Sequence, residues 1–444
     1  MSTSKPETIA GFAPRLGWRG AVANFRFKNS DSSQSLIFGG SLIMLMGSGM
    51  VSIVNFAYNV VMARMLGPAD FGHNSAAATI LMLASAITLA FQLVCAKFVA
   101  RNESPGAKSL VYSTLMRRAW MIGLCLGLSL LLGSAPISRY LRLPTPWIVV
   151  LLGLGLTFYV PLGVKRGGLQ GSYAFPRLSG NFVLEAVTKF IAAVLLVRYG
   201  FGVPGAVAGY SIALMLAFFL PPVSSQLKTR PQAGVPASFR EGMQAIVFFV
   251  GQVIINNIDI LLVKHFFAPE PAGLYAAVAL VGRVLYITSW SVVSAMFPIS
   301  AGAKREEERT TVLGVPLAFV VAISVAFVSG LQLFPETVLV AVFGSGFRQA
   351  GQGIGPLLSL YAATTGVYSL SVVLMTYEMS RRIANTGWLQ LVFSGLVIIG
   401  ITLYHASLRD VIMVQLVLMA VMLVAVSLPF FTRRNRTRVL PEAA

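Results

Sequence analysis

The feature that most constrains this sequence is the length of its apolar runs. Stretches of about twenty residues with few charges recur along the chain, and about twenty is what a helix needs to cross a bilayer. In hydrocarbon the backbone has no water to bond, so such runs are confined to helices that satisfy their own amides and carbonyls. Twelve spans can be placed, near 36–64, 74–98, 113–137, 145–164, 178–199, 203–222, 243–267, 273–299, 312–334, 353–379, 385–404 and 409–431. Arg117 and Arg118 fall in the first turns of the third. The segment from Thr337 to Phe347 is apolar but too short to span, and reads as an outer-face or re-entrant piece. Composition agrees: 56% of the 444 residues are apolar and 11% charged, too little charge to coat a soluble protein of this size. The expectation is an all-α polytopic membrane protein.

The formal net charge is +19. The basic residues lie in short segments between apolar blocks, which points to topology and anionic lipid headgroups and not to nucleic acid. Starting the chain inside, twenty-five of the 34 Lys and Arg fall on inner segments, Lys165 and Arg166 among them. Seven fall on outer segments, and Lys189 and Arg283 lie within spans. That asymmetry predicts cytoplasmic termini. Cys95 and Cys125 lie in apolar segments and offer neither a disulfide framework nor a metal spacing. The polar, basic residues before the first apolar block do not have the layout of a cleaved signal peptide.

The longest interior loop divides the spans six and six. The boundaries expected are a basic cytoplasmic segment 1–35, a first lobe 36–222, a cytoplasmic linker 223–242, a second lobe 243–431 and a basic tail 432–444. An even number of spans per lobe makes the two lobes a parallel repeat, related by an axis along the membrane normal. A shift of 201 residues lays Asn55 on Asn256, Pro68 on Pro269, Gly72 on Gly273 and Ala76 on Ala277. Each matched stretch ends the first span of its half, turns at the outer face and starts the second; Pro and Gly suit that turn.

Four stretches carry a family resemblance: "ARMLGPADFG", "NNIDILLVKHFFAPEPAGLYAAVALVGRVLYI", "RGGLQGSYAF" and "VLVAVFGSGFRQAG". In this order and spacing the chain resembles the polysaccharide-type members of the multidrug/oligosaccharidyl-lipid/polysaccharide exporter superfamily, from about residue 36 onward. The resemblance implies two six-helix bundles in a V, as in multidrug (MATE-like) exporters, around a cavity open to one side at a time. It implies a flippase that moves a lipid-linked oligosaccharide, typically on undecaprenyl diphosphate, from the cytoplasmic to the periplasmic leaflet of a bacterial inner membrane. Its expected partners are that substrate, membrane lipids and the polysaccharide biosynthesis machinery. No cofactor or metal is expected, and a coupling H+ or Na+ is left open.

A charge at a helix centre costs about 2.5–3.5 kcal/mol on insertion scales, so each in-span charge needs a reason. Asp259 and Arg283 fall at similar depth on consecutive antiparallel spans, about 12 and 15 Å from the outer end at the helical rise, and are expected to pair. Arg283 is a candidate for a diphosphate or acidic sugar, with Asp259 restraining or gating it. Glu185 and Lys189, four apart on one face, read either as a cavity wall with a titratable carboxylate or as a self-neutralised pair. Asn55, Tyr58 and Asn59 in span one, with Asn256 and Asn257 in span seven, offer amides and a phenol to sugar hydroxyls; packing between helices is the competing reading. Arg64 either guards the outer mouth or snorkels to the interface. Pro161, Pro316 and Pro356 interrupt spans.

Two other functions compete. A cation-coupled multidrug antiporter shares the superfamily; a basic cavity favours the flippase and an acidic one the antiporter. A membrane-embedded glycan polymerase or ligase normally presents a catalytic loop, and the short outer loops show neither paired carboxylates nor a nucleophile–base set.

Overall fold

The computed structural model describes residues 32–220, 222–239, 243–302, 306–347, 354–381 and 386–438. Among them the regular structure is helical throughout. The first element, α1 (Ser32–Arg101), is 70 residues long and breaks at Gly67, whose φ of 76° and ψ of 175° suit only glycine. Pro68 starts the second arm of α1, where its missing N–H leaves no bond unmade. There follow α2 (Pro105–Leu132), α3 (Ser134–Tyr140), α4 (Trp147–Gly171), α5 (Phe175–Leu196) and α6 (Gly202–Phe219). The second half holds α7 (Met243–Ile255), α8 (Ile258–Phe266), α9 (Pro269–Gly302), α10 (Glu306–Leu333), α11 (Pro335–Phe343), α12 (Gly355–Arg381), α13 (Leu389–Leu403) and α14 (Leu408–Arg438).

Nine described segments are long and apolar enough to cross a membrane; two, of 60 and 45 residues, are long enough to do so twice, and Leu389–Leu403 is a shorter apolar helix. With the two long segments counted twice and the short helix once, the described residues can accommodate the twelve spans expected. Aliphatic side chains face outward, with Leu45 64%, Leu132 81% and Leu333 71% exposed, a surface suited to lipid and not to water. Inside, close approach depends on small residues. A Cβ on Gly163, Gly167 or Gly171 of α4 would stand 2.5–2.6 Å from the carbonyl oxygens of Thr88, Gln92 and Ala96 on α1.

The two halves meet at the end of the bundle that holds Gly67. Tyr58, Met62, Ala63 and Phe71 of α1 share one core with Val263, Tyr275, Phe343 and Phe347 of the second half. Gly72 and Gly273, matched by the 201-residue shift, touch there: a Cβ on Gly72 would lie 2.9 Å from the Gly273 Cα, and one on Gly273 only 1.7 Å from the Pro68 carbonyl oxygen. Matched residues that touch each other lie on the axis relating the halves.

Several sequence expectations need correction. The third span begins earlier, at Pro105, so Arg117 and Arg118 lie well inside α2, exposed. Lys165 and Arg166 are not loop residues but lie buried in the last turns of α4. Span seven is two helices, α7 and α8, parted at Asn256 and Asn257. Pro356 does not interrupt α12 but stands in its first turn, while Pro161 and Pro316 are inside α4 and α10. The tail read as starting at 432 continues α14 to Arg438. Residues 1–31, Arg240, Lys304, Arg305, Arg348 and Arg382 lie outside the described residues.

Candidate functional site

A cavity of about 370 Å³ lies between the halves. Its walls come from both arms of α1, from Tyr159 of α4, from α5 and α6, and from Ile260 of α8 and Ala276 to Ile287 of α9. Among the lining residues are Asn55, Asn59, Glu185, Lys189 and Arg283. Ser52, Ser75, Thr79, Ser85 and Tyr210 add hydroxyls, and Val51, Phe56, Leu280 and Val284 add apolar surface. Five residues picked from three distant stretches of sequence thus reach one space.

Lys189 faces neutral partners. Its Nζ donates to the Asn55 Oδ1 and lies 4.7 Å from the Tyr58 ring centre and 5.4 Å from that of Tyr210. Cation–π contact holds an ammonium without neutralising it. Tyr58 is fully buried behind this site, not on its wall, and its hydroxyl donates to Asn74 Oδ1 at 3.1 Å. Asn59 donates to the Asn55 carbonyl at 2.8 Å.

Glu185 does not neutralise Lys189, as one reading of their spacing supposed. Its carboxylate takes the guanidinium of Arg166, which also donates from Nε to Asn181 Oδ1 at 2.7 Å and stacks 4.1 Å from the Phe182 ring centre. Arg166, 4% exposed, is the residue that sequence reading missed here, because the span boundary was drawn just before it.

Asp259 and Arg283 do pair, but through one contact: Arg283 NH2 donates to Asp259 Oδ1 at 3.3 Å. The other carboxylate oxygen accepts two hydroxyls, from Tyr275 at 2.8 Å and from Tyr361 at 2.9 Å. Gln415 in turn donates to the Tyr275 oxygen at 2.7 Å. Asp259 is 1% exposed while Arg283 keeps 18%, and the Arg283 Nε is buried with no acceptor. Tyr275, Tyr361 and Gln415 were not singled out from the sequence. Gln415 carried a signal, an amide alone in the run "VIMVQLVLMA".

Asn256 and Asn257 are not on the cavity wall. Their amides turn back along their own helix, to the Gln252 and Val253 carbonyls at 2.8 and 2.7 Å. Arg64 neither lines the cavity nor merely snorkels: its Nε donates to the Val342 carbonyl at 2.9 Å and its NH2 to that of Ala341. Those carbonyls close the C-terminus of α11, where a cation is favoured.

The family described as "Polysaccharide biosynthesis protein" matches residues 61–352. Among solved structures, an inward-facing multidrug resistance MATE family transporter of the MOP superfamily superposes with TM-score 0.75 at 13% identity, over 91% of this chain and 99% of that one. A MATE in complex with MaL6 gives 0.60 at 15% identity, covering 93% and 100%. An outward-facing MATE family transporter gives 0.59 at 14% identity, covering 94% and 100%. At these identities the likeness is one of fold. No curated protein matches the sequence.

Proposed function

Because this chain belongs to the polysaccharide biosynthesis protein family, and has the fold of membrane exporters, we propose that it flips a lipid-linked oligosaccharide across the bacterial inner membrane. The cargo, on undecaprenyl diphosphate, passes from the cytoplasmic to the periplasmic leaflet by alternating access, both termini being cytoplasmic. The lobes that move are 36–222 and 243–431.

One observation carries this reading: on the cavity wall two cations, Lys189 and Arg283, stand against one carboxylate, Glu185, which is already bonded to Arg166. Glu185 is taken by Arg166, Asp259 lies behind the wall, and Lys189 has neutral partners. What remains for a ligand is an ammonium from one half and a loosely held guanidinium from the other, which suits a diphosphate. Asn55, Asn59 and the wall hydroxyls suit the sugar beside it. A lipophilic cation, the cargo of the drug-antiporter reading, would meet repulsion here.

The reading is tested in cells that lack the chromosomal copy. Arg283→Ala, present in the membrane at the wild-type level, is expected to abolish surface glycan. Wild-type glycan with that variant, or cationic dye efflux that depends on Lys189 and Arg283, would overturn it.

A further inference from the structure

Asp259 and Arg283 are buried neighbours of opposite charge, yet they do not form the two-bond fork that a carboxylate and a guanidinium prefer. The reason is visible in the bonding. Both hydroxyls from Tyr275 and Tyr361 converge on Oδ2 of Asp259, at 2.8 and 2.9 Å, leaving only Oδ1 to Arg283 at 3.3 Å. The Tyr275 hydroxyl is itself oriented, because Gln415 donates to its oxygen at 2.7 Å and it must then point its proton at Asp259. All three polar side chains are almost wholly buried, so water does not compete for these bonds.

We propose that Tyr275 and Tyr361, with Gln415 fixing Tyr275, are positioning residues that hold Asp259 back from Arg283. This keeps the guanidinium available to an anion in the cavity. The proposal rests on the cavity reading above and adds to it the device that tunes its C-half cation. With both hydroxyls in place, Asp259 keeps Arg283 charged and oriented through one long contact. Without the Tyr275 hydroxyl, Oδ2 loses a bond it cannot replace from water and turns to the guanidinium. Arg283 is then drawn into a two-bond pair, and an anion must break that pair to bind.

The test uses the purified full chain in lipid nanodiscs, with farnesyl diphosphate as the probe and binding read by titration calorimetry. Tyr275→Phe removes the hydroxyl without touching Arg283, and is expected to weaken binding about tenfold, roughly the worth of one charge-assisted hydrogen bond. Asp259→Asn removes the competitor's charge, so Asp259→Asn/Tyr275→Phe is expected to bind as Asp259→Asn alone does. A merely structural tyrosine would not be rescued in this way. Tyr275→Phe binding as tightly as wild type, or the double variant binding as weakly as Tyr275→Phe, overturns the proposal while the cavity reading stands. Binding indifferent to Arg283→Ala removes the cavity reading, and this proposal with it.

Discussion

Lys189 and Arg283 were legible in the sequence because a charge among apolar neighbours has to be accounted for, and both line the cavity. The asparagines divide on finer grounds. Asn55 and Asn59 line the cavity and Asn256 and Asn257 do not, although Asn59, Asn256 and Asn257 all bond the carbonyl four residues back. An amide in a span has both options, and residue type does not choose between them. Arg166 was read as a loop residue because the span boundary was drawn just before it, and its partner, Glu185, lies 19 residues away on another helix. Two predictions belong at this scale. Lys189→Met is expected to cut transport about 10- to 100-fold, as loss of a charged hydrogen-bond donor implies, with the protein still folded; transport rates normalised to membrane content check this. Arg166→Met leaves Glu185 with an unpaired charge and is expected to cost about 3–5 kcal/mol. It should therefore lower the unfolding temperature in detergent well below that of Lys189→Met.

Among the elements, the break in α1 does most to arrange the site. Gly67 breaks α1 into two arms, both of which wall the cavity, and Gly72 just beyond it lies against Gly273. The repeat by 201 residues was visible in the sequence, but not that its matched glycines meet, since contact between halves leaves no periodicity. Phe71 packs on Phe343 and Phe347, with ring centres 6.2 Å from each, and Arg64 bonds the end of α11 beside them. This cluster seals α1 against α11 beside Phe71, which lines the cavity. Arg64→Ala is expected to loosen it. A cysteine at Phe347, which is 1% exposed, should then react several-fold faster with a membrane-impermeant maleimide, and an unchanged rate would show that Arg64 is not part of the closure. Gly273→Val places side-chain atoms where the Pro68 carbonyl stands, 1.7 Å from the Cβ. It should force the same end apart and raise labelling further.

At the scale of the molecule, the halves touch at the Gly67 end, where Gly72 meets Gly273 and Phe71 meets Phe343 and Phe347. That meeting, and a hollow walled by residues of both halves, are what the proposed alternating cycle would use. The apolar segments were legible from their lengths; the charge balance of the cavity was not, because it depends on which charges pair with which. The most direct measurement follows a labelled undecaprenyl diphosphate-linked oligosaccharide in sealed vesicles that hold the purified protein, with leaflet access read by an enzyme added outside. Wild type is expected to move the lipid between leaflets, and Lys189→Met/Arg283→Ala to leave it at the protein-free rate. Equal movement by wild type and the double variant would contradict a basic cavity as the path of the anion.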